Sequence, residues 1–120
     1  RGTAPIENSI NEHPEVGESA VVGYPHDIKG NALMAYVILY NTSDDSERLI
    51  REIREQISNT IGPIAKPDRV LIVSGLPKTR SGKIMRRILR KLASNEMDQL
   101  GDISTLLNPE IVDEIKKELS

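Results

Sequence analysis

Residues 32–40, "ALMAYVILY", form an unbroken apolar run without a charge or a turn former. Such a run reads as a strand buried on both faces, and both faces then need covering layers. The covering material has to be aliphatic. Phe, Trp and Cys are absent and only three Tyr occur, so Ile, Leu and Val must build the core. The missing thiols also remove a disulfide framework, Cys-ligated zinc and a Cys nucleophile. At 120 residues the chain has the length of a single domain, 1–120. It shows neither an apolar run of about 18 residues nor a charged-then-apolar leader, so no membrane segment and a cytoplasmic location are expected.

The remaining elements follow from spacing and punctuation. "VGESAVVGYP" reads as a strand over 16–23, closed by Gly23 and Pro25 and paired with the apolar run across "PHDIKGN". Ile6 and Ile10 mark a short helix over 4–12, ended by Pro14. After the cap-rich "NTSDDSE", Leu49, Ile50, Ile53, Ile57 and Ile61 recur at spacings of three and four, an amphipathic helix stopped by Gly62-Pro63. "RVLIV" at 69–73 is a third strand. Ile84, Met85, Ile88, Leu89 and Leu92 line one face of the next helix, with Arg86, Arg87, Arg90 and Lys91 on the outer face. In "NPEIVDEIKKEL", Asn108 is placed to cap and Pro109 to start a last helix lined by Ile111, Ile115 and Leu119. The order α-β-β-α-β-α-α predicts an α+β fold, a small three-stranded sheet flanked by helices, with 95–120 as a helical tail.

Charge is unevenly spread. Residues 78–91 carry seven cations and no acid in a chain whose net charge is −2, which leaves the rest at −9. Such a patch can meet phosphates, and a solvated helix face has the same composition. The patch begins in "LPKTRSGKIMRR", residues 76–87. A Walker A loop is excluded, because Gly75 precedes Gly82 by seven positions rather than five and Ile84 follows the lysine where a magnesium-binding hydroxyl is needed. What remains is a connection loosened by Gly75, Pro77, Ser81 and Gly82, with Lys83 expected on the first turn of a helix. There the free N–H groups and the dipole favour anions, and an ammonium on a long stem acts as a point charge on a carboxylate or phosphate. A solvent-facing lysine in a basic loop fits the same spacing.

"LPKTRSGKIMRRILRKLA" resembles the C-terminal signature of the acyl-adenylate-forming superfamily, in the wording of the AMP-forming acetyl-CoA synthetases. "TAPIENSINEHPEVGESAVVGYPHDIKG", "IGPIAKPD" and the tail "LGDISTLLNPEIVDEI" resemble the same enzymes, so the likeness covers essentially the whole chain. It implies a mobile C-terminal lid, cut off near its hinge, whose partner is its own large N-terminal domain. It also implies acetate–CoA ligation: acetate, ATP and CoA give acetyl-CoA, AMP and pyrophosphate through acetyl-adenylate, with Mg²⁺ accompanying the nucleotide. The isolated fragment is then expected to be inactive.

The same resemblance assigns site residues. Lys83 would be the adenylation lysine and a target of acetylation by a protein acetyltransferase, reversed by a deacetylase. Arg1 would match a hinge arginine that approaches ATP, although "RGTAP" is one residue short and has Pro5 where Glu is usual. His13 with the backbone carbonyls of Asn11 and Val16 would hold a Mg²⁺. Ser58 falls where relatives place a CoA-phosphate arginine, so a CoA contact there is weakened or moved. Two other readings compete: a phosphate- or nucleic-acid-binding module using the 78–91 patch, and a free-standing regulatory domain. The acidic remainder and the scarcity of aromatics for base stacking speak against nucleic acid.

Overall fold

The computed structural model describes residues 2–42 and 44–120. Arg1, expected near ATP, lies outside the described residues. Helix α1 (Ala4–Asn11) leads into strand β1 (Val16–His26) and strand β2 (Gly30–Leu39). Helix α2 (Ser46–Thr60) and a 3₁₀ turn (Pro63–Ala65) precede strand β3 (Arg69–Ile72), and helices α3 (Arg86–Ala93) and α4 (Glu110–Leu119) complete the chain. The order of elements is the expected one.

β1 and β2 pair antiparallel, with Ala20 opposite Tyr36 and His26 opposite Gly30. Asp27, Ile28 and Lys29 make the turn, closed by Gly30 at φ +84°, a value that favours glycine. His26 Nδ1 accepts the N–H groups of Ile28 and Lys29, which steadies the turn. β3 joins the other edge of β2 in parallel, Ala35 opposite Val70, so the sheet runs β1-β2-β3. Asp68 fixes this edge by accepting the N–H of Leu33 at 2.7 Å and pairing with Lys29.

β2 is the central strand, and its period of two divides the core. Met34 and Tyr36 face one layer with Ile88, Leu89, Leu92, Val112 and Ile115 of α3 and α4. Ala35 and Val37 face the other with Ile6, Ile10, Ile53 and Ile57 of α1 and α2. The expectation of two buried faces is met at the centre of the run, where residues 34–37 are sealed from solvent, whereas Leu33, Ile38 and Leu39 are half-buried and Tyr40, past the end of β2, is exposed. Tyr36 donates its hydroxyl to the carbonyl of Leu89 at 2.9 Å, and burial pushes its phenol up, so it stays neutral.

Four expectations need correction. α3 begins at Arg86, so Lys83 lies before the helix rather than on its first turn. Ile84 and Met85 precede the helix but still pack on the core. Ile61 ends α2 rather than lining it, and is exposed because the apolar stripe closes with Leu49, Ile53 and Ile57. The Asn108 side chain does not cap α4; it turns away to bond Leu76 and Lys78.

Candidate active-site hairpin around Lys83

The segment between β3 and α3 is ordered by its own hydrogen bonds. Met85 donates its N–H to the Pro77 carbonyl at 2.8 Å, and Lys78 bridges Ile84 in antiparallel fashion. Thr79 N–H reaches the Lys83 carbonyl at 2.8 Å, while Lys83 N–H is received by Thr79 Oγ1 at 3.0 Å. Gly82 turns the chain at φ +92°, and its N–H returns to the Thr79 carbonyl. The motif is therefore a tight β-like hairpin whose turn is 80–82, with Lys83 the first residue of its returning arm. Both main-chain groups of Lys83 are held, and its side chain is exposed.

The surrounding cations are mostly committed. Lys78 pairs with Glu18 at 3.0 Å, and Arg86 with Glu7 at 2.7 Å. Arg87 donates to the Leu100 carbonyl, and Lys91 reaches Glu96 and Gln99. The outer face expected for Arg86 and its neighbours is thus knitted into the chain. Among the described residues, the Lys83 ammonium has no partner, and Arg80 and Arg90 are its only companions in the patch. With four of seven cations tied internally, the nucleic-acid reading is not favoured.

Glu7 escaped the sequence reading. Its carboxylate is buried, accepting the Val21 N–H at 2.8 Å besides the Arg86 guanidinium. Its position between Ile6 and Ile10 on the apolar stripe of α1 was the available signal.

Asn11, His13 and Val16 meet at the α1–β1 junction. His13 is buried, and Nδ1 accepts the Glu15 N–H at 3.1 Å, so Nε2 carries the proton and donates to Glu52 at 2.9 Å. Both ring nitrogens are therefore engaged. The Asn11 side chain accepts from Ser19, and the Val16 N–H donates to the His13 carbonyl. Donor atoms of His13, Glu15 and Glu52 lie within 4.8 Å of one another, but Arg48 binds both carboxylates and supplies the positive charge there. The His13 hydrogen bond, then Arg48, hold Glu52 below the usual carboxylate range.

Ser58 lies on α2 and lines an open groove with Arg51, Arg54, Asn59 and Lys66. The fold thus keeps the sequence-derived sites apart: α1 and α2 cover one side of the sheet, whereas the Lys83 hairpin is rooted through Leu76 and Ile84 in the layer of α3 and α4.

Comparison with known proteins matches this architecture. The profile of the AMP-binding enzyme C-terminal domain covers residues 5–83 and ends at Lys83. The chain is 54% identical over 114 residues to an acetyl-coenzyme A synthetase of Alcanivorax borkumensis and 57% to one of Alkalilimnicola ehrlichii, covering 95% of this chain and 18% of each relative. The chain therefore spans about a fifth of the length of those enzymes. Among solved structures, an acyl-CoA synthetase of Brucella canis superposes with a TM-score of 0.73 at 36% identity, over 82% of this chain and 18% of that one. The acetoacetyl-CoA synthetase of Streptomyces lividans gives 0.72 at 25% identity over 97% of this chain and 17% of its own. Sequence and topology agree: the chain belongs to the family of AMP-binding enzyme C-terminal domains.

Proposed function

We propose that this chain is the C-terminal lid of an AMP-forming acetate–CoA ligase and that Lys83 is its adenylation lysine. The observation carrying the proposal is an exposed, unpaired ammonium on a backbone fixed at both groups, within a domain 54–57% identical to acetyl-CoA synthetases. In the first half-reaction, an acetate oxygen attacks the α-phosphorus of MgATP, the bond to the β-phosphate oxygen breaks, and acetyl-AMP and pyrophosphate result. Negative charge concentrates as the two anions meet. A preorganised cation there contributes about 3–4 kcal/mol, the usual loss when one such donor is deleted. In the second half-reaction, the CoA sulfur attacks the acyl carbon, the thiol gives up its proton and AMP departs.

Lys83 has no part in that second step and must leave, which a lid rotating against the N-terminal domain achieves. The placement of Ser58 and Lys83 on different layers suits a lid that presents two faces in turn. With serine in place of an arginine, the CoA phosphate contact passes to Arg51 or Lys66 in the same groove. A Mg²⁺ at the α1–β1 turn would draw on the carbonyls of Asn11 and Val16, since the His13 ring is committed to Glu15 and Glu52. Among the described residues no helix is long and apolar enough to cross a membrane, and the proposed reaction on ATP, acetate and CoA fits a cytoplasmic location.

Acetylation of Lys83 by a protein acetyltransferase would delete its charge and silence adenylation until a deacetylase restores it. The decisive experiment is Lys83→Ala in the full-length ligase. Acetate-dependent ATP–pyrophosphate exchange should collapse while acetyl-CoA formation from supplied acetyl-AMP persists; survival of exchange would overturn the assignment.

A further inference from the structure

The family profile ends at Lys83, yet the hairpin that carries Lys83 is completed by residues far beyond it. Its first strand, 77–79, uses one edge to pair with 83–85. On the other edge, the tail just before α4 takes up the main chain of Lys78. Leu107 donates its N–H to the Lys78 carbonyl at 2.9 Å, and Lys78 donates its own N–H to Asn108 Oδ1 at 3.1 Å. The same Asn108 amide donates through Nδ2 to the Leu76 carbonyl at 2.7 Å. One side chain thus clamps two main-chain groups of the loop two residues apart, as donor to the Leu76 carbonyl and acceptor of the Lys78 N–H. No other residue type of that size offers both functions from one planar group.

Packing reinforces the clamp. Leu76 and Leu106 are buried in one core with Ile111 and Ile115. Gly75 allows the approach, because a Cβ there would stand 2.8 Å from Ile111 Cδ1. Ser74 donates to Glu114 at 2.6 Å. The tail therefore grips the Lys83 loop from residue 74 to residue 78, whereas among the described residues no hydrogen bond or ion pair joins the tail to Lys83 itself. Asn108 also gives up the capping role its sequence position suggests, and it spends both polar groups on the loop.

We infer that Asn108 is a positioning residue for adenylation, and that the tail over 107–112 is a brace holding the hairpin so that the Lys83 ammonium meets the reacting phosphate in register. This rests on the proposed role of Lys83. A charge at the end of four methylenes is directed only as well as its backbone root is fixed, and misplacement of about 1 Å in a reacting constellation can lower turnover a hundredfold.

The test uses the full-length ligase, with Asn108→Ala, Asn108→Asp and Lys83→Ala beside the parent. Asn108→Ala should lower kcat of ATP–pyrophosphate exchange about tenfold with the acetate KM within about twofold. Acetyl-CoA formation from supplied acetyl-AMP should be unchanged. Amide hydrogen exchange in peptides over 76–85 should accelerate about tenfold, with 32–40 unaltered. Asn108→Asp keeps the acceptor for Lys78 but sets a carboxylate oxygen against the Leu76 carbonyl, so it should be no milder than Ala, and parent-like behaviour would remove the Leu76 bond from the brace. Unaltered adenylation, unaltered protection of 76–85, or equal loss of both half-reactions with loosening of 32–40 would each overturn the brace. If Lys83→Ala abolishes pyrophosphate exchange while Asn108→Ala leaves it intact, the brace fails and the lysine assignment stands. Full pyrophosphate exchange in Lys83→Ala removes both.

Discussion

Arg86 grips Glu7 through two hydrogen bonds, Nη2 to Oε1 at 2.7 Å and Nε to Oε2 at 3.2 Å, and so ties the first turn of α3 to the first helix of the chain. The same carboxylate receives the Val21 N–H, one of the outward amides of edge strand β1. Removing Arg86 leaves a buried anion with a single neutral donor. Arg86→Ala should destabilise by about 2 kcal/mol, below the full value for a buried pair because the guanidinium is partly solvated. Glu7→Gln should be milder, since the amide oxygen still accepts from Val21. Urea unfolding midpoints of the two variants test this ordering, and an Arg86→Ala midpoint equal to the parent's would refute it.

Acid should loosen the β2–β3 edge through Asp68. Partial burial opposes its ionisation, but Lys29 and the Leu33 N–H outweigh this and hold its carboxyl below the usual range. A depressed folded-state value means the stabilisation is complete above the unfolded carboxylate value of about 3.9 and is lost as pH falls through the lower folded one. Asp68→Asn should therefore unfold earlier than the parent at pH 7. The gap should close below about pH 4; a gap independent of pH would contradict the ion-pair account.

Truncation at the two ends of the exposure scale should separate core from surface. Ile53 is fully buried beneath β2, and Ile53→Ala should cost about 3 kcal/mol through lost burial and the void left behind. Ile64 is 98% exposed on the 3₁₀ turn, and Ile64→Ala should change stability by less than about 0.5 kcal/mol. Calorimetric midpoints of the pair decide it.

Gly82 has open space around its Cα, so the effect of a side chain there is purely conformational. At φ +92° an alanine is strained by about 1 kcal/mol. Gly82→Ala in the full-length ligase should reduce ATP–pyrophosphate exchange more than acetyl-CoA formation from acetyl-AMP, because the strain falls on the hairpin tip. Equal rates in both assays would show that the tip tolerates either backbone.

The 120-residue chain by itself should bind neither half of the chemistry into turnover. Acetyl-CoA production by the isolated chain, checked by mass spectrometry, would contradict the proposed function as one lobe of a two-lobed site.

Elements governed by periodicity were legible. The apolar run of β2, the Ile53–Ile57 stripe of α2 and the Gly62-Pro63 stop each depend on neighbours in sequence, and each is where the pattern put it. The sequence drew attention to Lys83, but the hairpin that holds it was not foreseen. Its hairpin is made by Thr79 and Gly82 competing with helix formation, and local apolar spacing in "KIMRRIL" reads through that competition as one continuous helix. Glu7 with Arg86 and Asn108 with Lys78 are separated by 79 and 30 positions, so nothing local announces them. A cap-like Asn-Pro and a solvated-looking arginine are each locally ordinary; only the folded chain gives them partners.

Tyr36 turns the central strand into an optical sensor of the whole α3 layer. The chain has no tryptophan, and Tyr24 and Tyr40 are not sealed from solvent as Tyr36 is. A phenol held against the Leu89 carbonyl absorbs and emits differently from one in water, so departure of α3 from the sheet would register in the tyrosine near-ultraviolet signal without any added label. The proposed rotation of the domain as a rigid unit would leave that signal still, and separation of α3 from β2 would move it. The protein thus carries its own means of telling swinging from melting.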